Sequence, residues 1–503
     1  MVVATGGALF VSILGLWVLS SIFNVQSVST TSQPCNVSLL TLQKLNTPKA
    51  ELHFLVPATS SNEHLCKLML SAAILRYPTP VIINWGAAED PDNPNAGHIQ
   101  KVDTLLGYLD DLANAGKQDD LVLIVDGFDV HFQLPAEVLL KRYFESNAAA
   151  QKRINSQIGT INAHGYNIKQ TVIFGQDKAC WPSWPWGQNW QGCWLAPEST
   201  YPRYAFGPET DTNTNPLDAF NVRARWLNSG TVMGPVGDMR NVFQAALANI
   251  AKNHTTDSDQ YYFANAWAEQ EYSRRLLQSE PFTKKERKDK YLLWPKISED
   301  QETELHVGLD YQGLMWQVLG FFRPSVTWMT FNGEHTSARS RSSREQSFVR
   351  DPYLDRILPD DLASARPPFA AVLEQLESHG KSGKATDLPT ELSWRDLKLG
   401  INAISNNIFP MLHYTGPKWF RDDWWPRMWY YPYAEPLLKA AVSLERAPIS
   451  KQAIGGKMWW PAEMGIMTGK KGDEKGGAMS DKGTWLPWKD MCGIHEKLLW
   501  KKQ

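Results

Sequence analysis

The chain is short of several features that would announce a class. Its 503 residues carry 51 Lys and Arg against 53 Asp and Glu, a net charge of −2. No global basic field is available to hold nucleic acid, which argues against that partner. Cysteines number only five, Cys35, Cys66, Cys180, Cys193 and Cys492, and no two are spaced as C-x-x-C. A structural zinc site is therefore not expected. The odd count leaves at least one free thiol or an intermolecular bridge. Cys180 and Cys193 are near enough in sequence to pair, although spacing alone does not fix geometry. No Lys or Arg precedes Lys44, so the charge bias that orients a membrane segment is nearly silent. No internal repeat is apparent.

Tryptophan, in contrast, is abundant at 22 residues, several of them beside Pro or Gly. Indoles stack on sugar rings, but for any one of them core or loop packing is the ordinary reading. The length exceeds one typical compact domain. Gly6 to Phe23 is an uncharged apolar run. At about 1.5 Å per residue it is about long enough to span a bilayer core of about 30 Å. It reads as a signal anchor or a cleaved signal peptide. Its length and the poor cleavage flank Ser-Ser-Ile-Phe-Asn favour the anchor. The expected layout is a cytosolic tail over 1–5, a transmembrane anchor over 6–23 and a Ser/Thr/Gln-rich stem over 24–50. The remainder would lie in the lumen of the Golgi or endoplasmic reticulum, as a single-pass type II protein. Sequons at Asn36 and Asn253 agree with that route.

Strands and helices then alternate. Strands are expected over 52–59, 80–85, 121–125 and 171–174, and helices over 65–76, 98–115 and 135–145. Such alternation implies an α/β fold with a mostly parallel central sheet flanked by helices. Residues 180–216 show little periodicity, and 226–233 read as a polar turn entering a strand. Helical pattern returns over 237–251 and 257–277. The charge run 284–290 reads as a solvated loop. Residues 333–390 read as a long, partly flexible insertion. The catalytic domain is expected over 51–440, followed by an extension over 441–503 that packs back on it or stays partly disordered.

The most informative stretch is Leu121-Val-Leu-Ile-Val-Asp-Gly-Phe-Asp-Val130. An apolar strand emerges into two carboxylates, Asp126 and Asp129. Ligands of open α/β sheets bind beyond the carboxyl ends of strands. Two Asp there suit a hard cation such as Mn²⁺ or Mg²⁺ that also grips a diphosphate. A turn whose Asp residues cap the next element is the plain alternative. Further along, Leu412-His413-Tyr-Thr-Gly416-Pro-Lys418 offers an imidazole, a glycine that lets backbone N–H groups approach phosphate, and a point charge. Asn228, in Leu-Asn-Ser-Gly, can hydrogen-bond sugar hydroxyls or simply build a turn. Asp257-Ser258-Asp259-Gln260 opens a helix, where acids usually cap but can also present a carboxylate to the sugar or acceptor.

The ordered series DGFDV, FGQDKACWP, LNSGTVMG, DSDQYYF, GLDYQGLMWQ and HYTGPK resembles the glycosyltransferase domain of the procollagen lysyl hydroxylases over roughly residues 52–420. It is similar, more distantly, to collagen glycosyltransferases and glycogenin. The resemblance implies a GT-A fold, a manganese ion and a UDP-hexose donor, glucose or galactose, with a lean toward retention of configuration. It implies that Asp126, Asp129 and His413 bind the metal. It puts Thr59, Lys101, Phe128, Gly416 and Lys418 at the donor nucleotide. Trp181 and Gln260 fall on the sugar or acceptor side, and Asp257, Asp259 and Asn228 are the candidates for the reacting centre. The acceptor would be carried by a protein or a glycan.

The chain departs from that pattern in places. Phe128 stands where the family has Tyr, and Ser258 interrupts the acidic run. The His413–Lys418 turn is one residue short. The 333–390 insertion has no counterpart, and nothing matches a hydroxylase portion. Two other readings are weighed: a carbohydrate-binding scaffold that lost turnover, and a metal-dependent phosphodiesterase, for which too few His residues occur at useful spacing.

Overall fold

The continuous apolar run Leu121–Val125 lies at the heart of the molecule, all five residues buried. The computed structural model describes residues 47–501 except 89–91, 94–95, 183–186, 214, 216, 253, 255, 333–356, 382, 384–385 and 463–473. In chain order its strands are β1 (Lys49–Pro57), β2 (Val81–Ile83), β3 (Leu121–Val125), β4 (Val130–Phe132), β5 (Val172–Asp177), β6 (Trp226–Pro235) and β7 (Val307–Leu309). There follow β8 (Trp316–Val318), β9 (Val326–Met329), β10 (Leu399–Asn402), β11 (Met411–His413), β12 (Met458–Pro461), β13 (Gly477–Ser480) and β14 (Trp485–Pro487). Described helices of ten residues or more are α1 (Glu63–Ile74), α2 (Ala96–Asn114), α3 (Ala136–Ile158), α4 (Val236–Lys252), α5 (Asp259–Leu276) and α6 (Ala434–Ser443).

The main sheet runs β14-β13-β2-β1-β3-β6-β5-β7, with β12 also paired to β1. It is mostly parallel: β1 pairs parallel with β12, β2 and β3, β2 with β13, and β5 with β7. Strand β6 is antiparallel to both β3 and β5, and β14 to β13. Alternate side chains point to opposite faces of a strand, so each face gathers its own core. Leu52, Phe54, Leu121, Leu123 and Val125 join the core shared with α1 and α3. Leu55, Val122 and Ile124 join the core shared with α2, α4 and α5. A smaller sheet, β4-β11-β8, and the pair β9-β10 complete the pattern.

Several expectations need correction. The segment 226–233 is strand throughout, with a register break between Phe174 and Gly175 that accommodates Ser229, Gly230 and Thr231. Helix α3 runs on to Ile158 because Ala150, Ile154 and Ile158 continue its buried stripe. Lys284–Lys288 is helical, held by a capping box between Thr283 and Glu286. Of the expected insertion, 333–356 lie outside the described residues. Within 357–381 part of the chain is packed: Leu362 and Phe369 are fully buried, and Asp361 pairs with Arg142 at 2.6 Å. Of the two courses open to the extension 441–503, its described parts take the first and pack back: β12 and β13 add to the main sheet and Cys492 is bonded to Cys66. Strand β1 already begins at Lys49, inside the expected stem. The expected anchor over 6–23 and both sequon asparagines lie outside the described residues. Among the described residues no helix is long and apolar enough to cross a membrane.

Candidate functional site

Beyond the last residue of β3 the chain turns through Asp126-Gly-Phe-Asp129 and enters β4. Strand β11 pairs antiparallel with β4, which places His413 opposite Val130. Tyr414 N–H donates to the Asp129 carbonyl at 2.8 Å and fixes that register at the site. The result is convergence of three groups distant in sequence. His413 Nε2 lies 3.7 Å from Asp126 Oδ2 and 3.6 Å from Asp129 Oδ1. The other carboxylate oxygens are engaged elsewhere: Lys101 Nζ reaches Asp126 Oδ1 at 3.1 Å, and Lys418 Nζ holds Asp129 Oδ2. Two oxygens and one ring nitrogen thus face one another.

Glycine 230 makes the space between them. Asp126 N–H donates to the Gly230 carbonyl at 2.9 Å, drawing β6 against the site. A Cβ at residue 230 would lie 2.2 Å from His413 Cε1 and 2.5 Å from Asp126 Oδ2. Gly416, at φ +72°, turns the chain so that Lys418 folds back to the Tyr414 carbonyl, 2.6 Å away.

Burial lowers the His413 pKa, so the imidazole is neutral and its lone pair available at neutral pH. Burial alone would raise Asp126, but the charge and hydrogen bond of Lys101 hold its carboxyl down to about 2. Lys101 is desolvated as well, yet Asp126 and Asp259 push its pKa up and keep it charged. Asp177 behaves oppositely. Burial pushes it up to about 6 although the N–H groups of Lys178 and Ala179 and the amide of Asn228 hydrogen-bond to it.

These groups line a cavity of about 800 Å³. It collects Asp126, Asp129, His413, Lys101, Asn228, Asp257, Asp259, Gln260, Trp181, Gly416 and Lys418. Asp259 is 4 % exposed and pairs with Lys101 at 2.9 Å. Asp257 accepts from Asn93 at 3.0 Å and lies 2.9 Å from His254 Nε2. Gln260 accepts the Ser229 N–H and donates to the Trp181 carbonyl. Trp181 itself is half-exposed at the cavity wall, just after Cys180, which is disulfide-bonded to Cys193.

Thr59 and Phe128 do not line this cavity. The Thr59 carbonyl accepts the Gly86 N–H, and the Phe128 side chain leans on the core around α1 while its carbonyl accepts from Arg421. Conversely, His98, Asp177, Gly230 and Thr415 line the cavity and were not singled out from sequence. Asp177 sits inside the FGQDKACWP stretch, so its neighbourhood was visible although its role was not. His98 carried no signal beyond its place one helical turn before Lys101.

The site is of a recognisable kind. Two carboxylates and an imidazole, all within 4.8 Å of one another, fit an oxygen-preferring divalent cation. They lie at strand ends of an α/β sheet, beside two lysines suited to phosphate. That defines an α/β protein with a cation-ready, anion-receptive cavity. No known family profile matches the chain. It is similar to the multifunctional procollagen lysine hydroxylase and glycosyltransferase of Caenorhabditis elegans, at 23% identity over 229 residues. The match spans 45% of this chain and 24% of that protein's length.

Proposed function

We propose that the chain is a GT-A glycosyltransferase that moves a hexose, glucose or galactose, from a UDP-sugar to a protein- or glycan-linked acceptor. The observation that carries this reading is the meeting of Asp126 Oδ2, Asp129 Oδ1 and His413 Nε2 at the wall of a roomy cavity with two lysines beside them. The similarity to a protein named as a glycosyltransferase supports it. Asp126, Asp129 and His413 would hold Mn²⁺ or Mg²⁺, which when bound offsets charge on the departing diphosphate. Lys418 and the Gly416 turn supply cation and backbone N–H to the diphosphate oxygens. Lys101 bridges Asp126 to Asp259 and so ties the metal side of the cavity to the sugar side. Asn228, Gln260 and Trp181 form the wall where the hexose and acceptor meet. Retention of configuration is the outcome to which the resemblance leans.

We further infer a lumenal protein of the Golgi or endoplasmic reticulum, anchored by residues 6–23. Two disulfides among the described residues support an oxidising compartment.

A thermal-shift panel of UDP-glucose, UDP-galactose and other UDP-sugars, with and without Mn²⁺, tests the reading. Stabilisation by at least one donor that requires Mn²⁺ is expected. Its absence with every donor removes the assignment. A second reading, a carbohydrate-binding scaffold, is motivated by Ser258, which lies in the cavity wall between the two acids. It requires donor binding with no release of UDP.

A further inference from the structure

Three carboxylates in the cavity are outside the metal set: Asp177, Asp257 and Asp259. They differ in what holds them. Asp259 is committed to Lys101, 2.9 Å away, with His98 at 3.8 Å. Asp257 is committed to Asn93 and to His254. Asp177 forms no ion pair with a Lys, Arg or His among the described residues, and Lys178 acts on it by charge at longer range. Its Oδ1 accepts N–H bonds from Lys178 at 2.7 Å and Ala179 at 3.4 Å, and the Asn228 amide donates to the carboxyl. The adjacent Lys178 is directed away, its Nζ bonded to the Phe220 carbonyl at 2.6 Å and set over the Phe206 ring.

Position completes the case. Asp177 is the last residue of β5, at the same end of the sheet as Asp126. The side chain of Asn228 links it to Gly230, whose N–H it accepts at 3.2 Å, and Gly230 abuts Asp126 and His413. On the other side, a Cβ built on Gly320 would stand 3.9 Å from Asp177 Oδ1. Gly320 in turn donates to Thr415, two residues past His413. The carboxyl is therefore fixed in direction, held in no ion pair among the described residues, and one short side chain from the metal ligands.

Resting on the transferase reading, the geometry points to Asp177 as the acceptor-side base. The acceptor hydroxyl oxygen bonds to C1 of the hexose on the face from which the diphosphate departs, so that configuration is retained, and the bond from C1 to the diphosphate oxygen breaks with its electron pair leaving on the diphosphate. The hydroxyl proton passes to the Asp177 carboxylate. Asp259 and Asp257 then serve as positioning residues: Asp259 for Lys101, Asp257 for the loop that carries Asn93. A raised carboxyl pKa accords with a base that works near neutrality, and that accord is secondary to the geometry.

Release of UDP from UDP-glucose and UDP-galactose into water, with Mn²⁺, tests the assignment without a known acceptor. Asp177→Asn, which keeps an oxygen for both N–H groups, is expected to bind UDP within about twofold of the parent and to lose about 100-fold in UDP release. Sodium azide is the diagnostic probe, because an anionic nucleophile needs no base. It is expected to raise UDP release by Asp177→Asn and yield the glycosyl azide, while changing the parent little. Asp177→Ser repeats the measurement should the Asn variant not fold. An undiminished rate in either variant, or a lost rate that azide does not restore, overturns the role of Asp177 alone. A parent chain that neither binds UDP with Mn²⁺ nor releases it removes the transferase reading itself.

Discussion

Two clusters of two carboxylates and one histidine lie at opposite ends of β3, and they teach different things. Asp126, Asp129 and His413 follow its carboxyl end, whereas Glu51, His53 and Asp120 gather at its amino end. Both sets bring three ligand-type atoms within 4.8 Å. In the second set all four carboxylate oxygens are already engaged, whereas in the first one oxygen of each Asp is left facing His413. Glu51 is held by Lys117 at 2.7 Å and Arg446 at 2.5 Å, and Asp120 accepts the Glu51 N–H at 2.9 Å and meets His53 Nε2 at 3.1 Å. None of the three lines the large cavity. In the first set the inward atoms stand 3.6 and 3.7 Å apart and open onto that cavity. Saturation, rather than residue type, separates an ion-pair network from a site.

The sharpest way to break this comparison is to remove one carboxylate from each end. Asp129→Ala is expected to abolish Mn²⁺-dependent UDP binding and to cost on the order of 1,000-fold in donor hydrolysis, since the ligand set falls to two. The fold should stay intact by circular dichroism. Retained activity would refute the ligand role. Gly230→Ala comes next, because its methyl group would intrude between His413 and Asp126. Mn²⁺ affinity measured by calorimetry should fall by roughly 10–100-fold, the scale of displaced supporting groups at metal sites.

Lys101→Met separates the two halves of the first cluster. It leaves buried Asp259 without its cation, at a cost of about 3 kcal/mol in urea unfolding. A cost under about 1 kcal/mol would place Asp259 in better-solvated surroundings than its burial indicates.

Asp120→Asn, at the other end, should cost roughly 2 kcal/mol, the worth of charged hydrogen bonds, and leave UDP release unchanged. Burial alone would raise the Asp120 pKa, but the bonds from His53 and the Glu51 N–H, with the Lys117 charge, bring it below its ordinary value. Its stabilisation is therefore complete above the unfolded value of about 3.9 and lost as the pH falls through the lower folded value. Parent and variant should draw together in urea midpoint as the pH falls below about 3.9 and diverge at pH 7. A constant difference across that range would show that Asp120 acts by packing alone.

Much of this was legible in the chain. The buried run Leu121–Val125 matched its expected bounds, and the helices after β1 and β2 fell within two residues of theirs. Asp126, Asp129 and the His413-to-Lys418 segment were flagged by their places after apolar strands, and they do share one cavity. Thr59 and Phe128 were carried by resemblance alone, and the cavity does not include them. Gly230 was hidden because a glycine's function here is the volume it leaves vacant, which no local pattern records. Asp177 was hidden because its neighbours Lys178 and Ala179 gave no sign of which carboxylate stays out of an ion pair.

The sequence by itself determined the alternation of strands and helices, the two-sided burial of β3 and the emergence of acids at its end. These depend on neighbours within a few residues, where periodicity and turn chemistry act directly. Only the tertiary structure decided that His413 closes on Asp126 and Asp129, that Cys492 bonds Cys66, and that β12 and β13 extend the sheet. Those meetings depend on which long loops the packing of two cores can close, and that choice is made by the whole chain at once.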